Sequence, residues 1–159
     1  MSEPAKKTKT TKTTTKKKID APRVPKPVGA YVHSRRVGNL LFLSGMGPRD
    51  PVTNQVPGNV YDEQGRLVAH DVKAQCHAVF RNVRAVLEEA GAAWEDIVDV
   101  TVFLTDLEAD FAAYNAVYAE YFQATQPTRT TVGISALPSP IAVELKVIAE
   151  VRGEREERP

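Results

Sequence analysis

A single cysteine, Cys76, serves the whole 159-residue chain. One thiol excludes an internal disulfide and gives no spacing from which a cysteine-based metal site could be assembled. No apolar run is long enough to span a bilayer. The lysine-rich start lacks the apolar segment of a secretory signal, so a soluble, cytoplasmic protein is expected. Net charge is also small, at +1, but unevenly spread. Seven lysines against Glu3 and Asp20 occupy the first twenty residues, leaving the remainder net acidic. A net-acidic body argues against nucleic acid as a partner.

What is present is one domain's worth of patterned sequence, with 42% apolar residues. Residues 1–22 form a Lys/Thr-rich tail that cannot bury apolar area and is expected to be disordered. It reads as a solubilising extension; non-specific contact with an anionic surface is the alternative. Residues 23–152 form the domain, and 153–159 a frayed, charged end.

Within the domain the order is strand, strand, helix, strand, helix, strand, strand. Tyr31 to Arg36 and Leu40 to Ser44 flank Gly38-Asn39, which reads as a hairpin turn. Asp50 to Arg66 is a long loop rich in turn residues, with a short strand near Val60, and its length makes it a candidate specificity element. Asp71 caps a helix running to Ala90 and stopped by Gly91. Its apolar stripe contains Cys76, which reads as core packing. Ile97 to Leu104 is a buried strand, and a second helix starts at Asp106 or Asp110 and ends by Thr125. Two helices on one face of a mixed sheet make an α+β domain.

The last two strands carry the chemistry. In the first, Arg129, Thr131, Gly133 and Ser135 alternate with Thr130, Val132 and Ile134. In the second, Glu144 and Lys146 alternate with Val143, Leu145 and Val147. A hairpin about Leu137-Pro138-Ser139-Pro140 sets Glu144 opposite Gly133 and on the same face as Arg129. A cation and a carboxylate there could hold a small anion and a water between them. Taken singly, such an arginine and glutamate are more often ion-pair partners on a surface. The uncovered sheet face predicts that other copies of the chain cover it.

Several stretches carry a resemblance. Val37-Gly38-Asn39-Leu40-Leu41-Phe42-Leu43-Ser44-Gly45, Asn82-Val83-Arg84-Ala85-Val86-Leu87, Phe111-Ala112-Ala113-Tyr114-Asn115 and Pro127-Thr128-Arg129 resemble the Rid (YjgF-type) family. That resemblance implies a chorismate-mutase-like fold and a homotrimer with clefts between subunits. It also implies hydrolysis of enamines and imines to a 2-oxo acid and ammonia, without metal or organic cofactor. Carried over to this chain, Arg129 pairs with the substrate carboxylate, Glu144 handles the attacking water and Tyr31 lines the pocket. Ser44 and Gly45 line the cleft, and Phe111 and Asn115 reach in from the adjacent subunit. Thr131 stands where the family often has cysteine.

Tyr31-Val32-His33, Gly45-Met46-Gly47-Pro48-Arg49, Asp62-Glu63-Gln64-Gly65 and Pro127-Thr128-Arg129-Thr130-Thr131-Val132 are similar to the 2-aminomuconate deaminases of bacterial aromatic catabolism. A substrate with two carboxylates calls for a second cation, for which Arg49 is the candidate. His33 is a candidate for polar contact or proton transfer, against a structural role. A general deaminase of 2-aminoacrylate-like intermediates and a ligand- or RNA-binding protein are the competing readings.

Overall fold

The computed structural model describes residues 16–151. Eight strands and two α-helices make two layers. The strands are β1 (Lys16–Ile19), β2 (Ser34–Val37), β3 (Leu40–Leu43), β4 (Val60–Tyr61), β5 (Leu67–Ala69), β6 (Ile97–Leu104), β7 (Thr128–Gly133) and β8 (Val143–Glu150). Six of them form one mixed sheet in the order β1-β2-β3-β8-β6-β7, while β4 and β5 make a separate hairpin. Helices α1 (Val72–Glu89) and α2 (Leu107–Phe122) pack on a single sheet face, as the pattern predicts.

Helix α1 forms where its end signals and its stripe agree. Asp71 accepts hydrogen bonds from the backbone N–H groups of Lys73 and Ala74, satisfying two first-turn donors. At the other end Gly91 adopts φ 75°. The Gly91 N–H bonds to the Glu88 carbonyl at 3.1 Å and the Ala92 N–H to the Leu87 carbonyl at 2.9 Å, closing the helix with a left-handed residue. Between these ends Cys76, Val79, Phe80, Val83, Val86 and Leu87 are fully buried. Helix α2 starts at Asp106, whose side chain takes the Ala109 N–H at 3.0 Å. The other proposed start, Asp110, is buried and bonds the His70 ring at 2.8 Å.

The hairpin expected between the last two strands is not formed. Strand β6 lies between them, parallel to β7 and antiparallel to β8. Burial explains the order. Val143, Leu145, Val147 and Ala149 of β8 and Val100, Val102 and Leu104 of β6 are fully buried, which suits central strands. Strand β7 is half threonine and stays largely exposed, which suits an edge.

The N-terminal expectation is also corrected. From Lys16 onward the chain is part of the fold: β1 pairs with β2, and Ile19, Ala21 and Val24 enter the core. Residues 1–15 of the expected tail and the C-terminal stretch 152–159 lie outside the described residues. The loop expected from Asp50 to Arg66 carries the strand near Val60 and ends in the turn of the β4–β5 hairpin.

Candidate active site

Register across the sheet decides which charged side chains can meet. Phe103 of β6 pairs with Glu144 on one side and Val132 on the other. Val100 pairs with Val147 and with Arg129. Glu144 and Val147 are three residues apart on one strand, so they point to opposite faces. Arg129 therefore lies on the helix-bearing face and Glu144 on the open one, which overturns the shared face read from a hairpin.

On the open face a cavity of about 680 Å³ brings together Glu144, Tyr31, Gly45 and Arg49. Val28, Gly47, the 54–61 loop and the 138–141 turn complete its walls. Glu144 is half-buried and has no hydrogen-bond or ion-pair partner among the described residues. Burial raises its pKa above the ordinary 4.5, since a carboxylate loses hydration there without gaining a cation. A Cβ added at Gly45 would lie 2.8 Å from the Glu144 carboxyl carbon, so only glycine permits this approach. The neighbours Met46 and Leu145 exchange backbone hydrogen bonds of 2.8 and 3.0 Å, which locks Gly45 against the carboxyl.

The cavity walls are tied to α1 by two side chains that the sequence reading did not single out. Asn82 donates to the carbonyls of Gly47 and Arg49, both at 2.9 Å. Gln75, fully buried, donates to Asn59 at 2.9 Å and accepts the Ala142 N–H at 2.7 Å. Asn59 in turn donates to the Pro140 carbonyl at 2.7 Å, joining the long loop to the turn opposite. Gln75 and Asn82 stand seven residues apart, two helical turns, within an otherwise apolar stripe. That spacing of buried amides was the available signal.

The other expected residues divide between cavity, frame and opposite face. Arg49 lines the cavity, and its guanidinium donates to Asn54 at 2.7 Å and to the Lys26 carbonyl at 3.3 Å. Tyr31 is 47% exposed, and its hydroxyl accepts the Val28 N–H at 3.2 Å. Ser44 spends its hydroxyl on the Val32 carbonyl at 2.6 Å. His33 is only 4% exposed. One ring nitrogen sits 2.7 Å from Asp20 and 3.0 Å from the Ala21 N–H, and the other 3.1 Å from the Pro25 carbonyl. Both nitrogens thus contact the N-terminal segment, an arrangement that supports the structural role weighed against substrate contact.

Across the sheet Arg129 forms a second constellation. Its guanidinium donates to Asn115 of α2 at 2.9 Å and stacks over Tyr118 with 4.6 Å to the ring centroid. Phe111, 40% exposed, lies one turn before Asn115 and contacts Tyr114. Thr131, beside Arg129 on β7, presents its hydroxyl to the same side as Val102. Arg129, Asn115, Phe111 and Thr131 therefore share one face, and none of them lines the Glu144 cavity. Cys76 is fully buried, with its thiol pushed up to about 12 by desolvation, in keeping with core packing. Among the described residues no group of three or more His, Cys, Asp or Glu side chains is placed to hold a metal. No helix among them is long and apolar enough to cross a membrane.

Two helices over one face of a mixed sheet, with a carboxyl-bearing cavity on the other, define a YjgF-type α+β domain. The chain belongs to the Endoribonuclease L-PSP family (Ribonuc_L-PSP), whose model matches residues 21–151. A RutC family protein of Pyrococcus abyssi is 42% identical over 134 residues, covering 84% of this chain and 96% of that protein. The Escherichia coli protein named "Putative reactive intermediate deaminase TdcF" is 39% identical over 137 residues, covering 84% and 96%. In three dimensions the YjgF gene product of E. coli superposes with a TM-score of 0.73 at 35% identity, covering 86% of this chain and 99% of its own. TdcF with bound serine gives 0.72 at 34% identity, with 84% and 98% covered.

Proposed function

We propose that the chain is an imine/enamine deaminase and that its substrate is 2-aminomuconate. The observation that carries this reading is Glu144, a half-buried carboxyl without a partner among the described residues, lining a cavity that also holds Tyr31 and Arg49. A raised pKa suits a group that must take a proton and then return it. The enamine tautomerises to an imine that takes a proton from solvent, and water held by Glu144 attacks C2 of this iminium while the water's proton passes to the carboxylate. Glu144 returns that proton to the carbinolamine nitrogen and takes up the hydroxyl proton as the C–N bond breaks, leaving a 2-oxo acid and ammonia. Arg129 pairs with the carboxylate beside the reacting carbon, and Arg49 with the distal one. Kinship with TdcF supports the reaction class, and serine bound to that protein supports a small amino-acid-like ligand.

Arg129 and Glu144 cannot meet within one copy, because the sheet separates them. The reading therefore places each site between two copies of a homotrimer. One copy presents Arg129, Asn115 and Phe111, and its neighbour presents the Glu144 cavity.

Ammonia release from 2-aminomuconate and from the monocarboxylate 2-aminoacrylate tests the assignment. Wild type should act on both and faster on the diacid, while Arg129→Ala loses about a hundredfold on both. Arg49→Ala should lose selectively on the diacid. Equal wild-type rates on the two substrates, unaffected by Arg49→Ala, would leave a general 2-imino acid deaminase.

A further inference from the structure

Next to the Glu144 cavity the open face has a second concavity of about 440 Å³. Lys18 of β1 and Arg35 of β2 line it, together with Tyr31 and Ser44. These two cations are its only charged lining residues. Neither has an ion-pair or side-chain hydrogen-bond partner among the described residues.

The ladder makes this arrangement unfavourable by itself. Lys18 and Arg35 are direct antiparallel partners, so their side chains leave the same face side by side. Like charges directly opposite in a ladder repel, and a strand needs no such pair to form. The next row repeats the situation with Lys17 opposite Arg36, yet there the Arg36 guanidinium turns away to the Gly38 carbonyl at 2.8 Å. At Lys18 and Arg35 nothing among the described residues neutralises the pair. An anion seated between a point charge and a planar fork would remove the repulsion and use both donors.

We infer that the Lys18–Arg35 groove is a binding site for an anionic group, a carboxylate or a phosphate, separate from the Arg129 constellation. It shares Tyr31 with the main cavity, so a bound anion lies alongside that cavity. The site does not depend on the reaction proposed above, and Arg49 takes no part in it.

Isothermal titration of the full-length chain with inorganic phosphate, and separately with glutarate, at ionic strength fixed by sodium chloride, tests the site. Wild type should bind at least one of the two. Arg35→Val and Lys18→Gln should each weaken that binding about tenfold, as expected for losing one charge-assisted contact. Binding of phosphate alone assigns the groove to a phosphate ligand, and binding of glutarate alone to a carboxylate. No binding by wild type, or equal binding by wild type and both variants, would overturn the proposal.

Discussion

At Glu144 the proposed function and stability oppose each other. Its carboxyl is raised by burial alone, so the folded state favours the protonated form more than the unfolded chain does. Stability associated with this group is highest below the ordinary carboxyl pKa and falls as pH rises through the raised one. Glu144→Gln should therefore unfold at a higher temperature than wild type near pH 7, with the gap closing towards pH 4, as calorimetry would record. The same variant should lose ammonia-releasing activity by about a hundredfold or more, the usual scale for removing a general acid–base group. Gly45→Ala probes the same spot sterically. Its methyl would displace the carboxyl, and a shift of about 1 Å is enough for roughly a hundredfold loss in kcat. As candidates these residues were legible in the sequence, and Glu144, Tyr31 and Arg49 line one cavity while Arg129 is bonded to Asn115. Their grouping was not, because the face of each depends on pairing across β6, far away in the chain.

At the scale of elements the helices were the most legible, since their ends are written locally in Asp71, Asp106 and Gly91. Strand order was not, because the Pro138–Pro140 turn reads as a hairpin until the burial of β6 and β8 places them side by side. Strand β1 was obscured by its lysines, which suit an edge strand as well as they suit a tail. The buried amides of α1 bind the loops to the helix layer and carry a prediction at this scale. Asn82→Ala would leave the Gly47 and Arg49 carbonyls without their donor. It should destabilise the fold by about 1–3 kcal/mol in urea titration. Because the same loop holds Arg49, KM for a diacid substrate should rise more than kcat falls.

For the whole molecule the decisive observation is that the two halves of the proposed site stand on opposite sides of one sheet. Arg129, Asn115 and Phe111 gather over α2, while Glu144, Tyr31 and Arg49 gather on the open face. Periodicity along single strands assigned each residue a polar position, yet only the assembled sheet shows Arg129 and Glu144 on opposite faces. Joining half-sites from different copies needs a head-to-tail interface, which in the proposed homotrimer closes into a ring. Such a ring makes a direct prediction about mixtures. Arg129→Ala and Glu144→Gln proteins, each inactive alone, should regain activity when unfolded together and refolded as mixed oligomers. With random assembly about a quarter of the sites would combine an intact Arg129 from one copy with an intact Glu144 from its neighbour. The measurement is the rate of ammonia release from 2-aminomuconate by the refolded mixture. Recovery to about a quarter of the wild-type rate is the predicted result, and a mixture as inactive as its two components would contradict a site shared between copies.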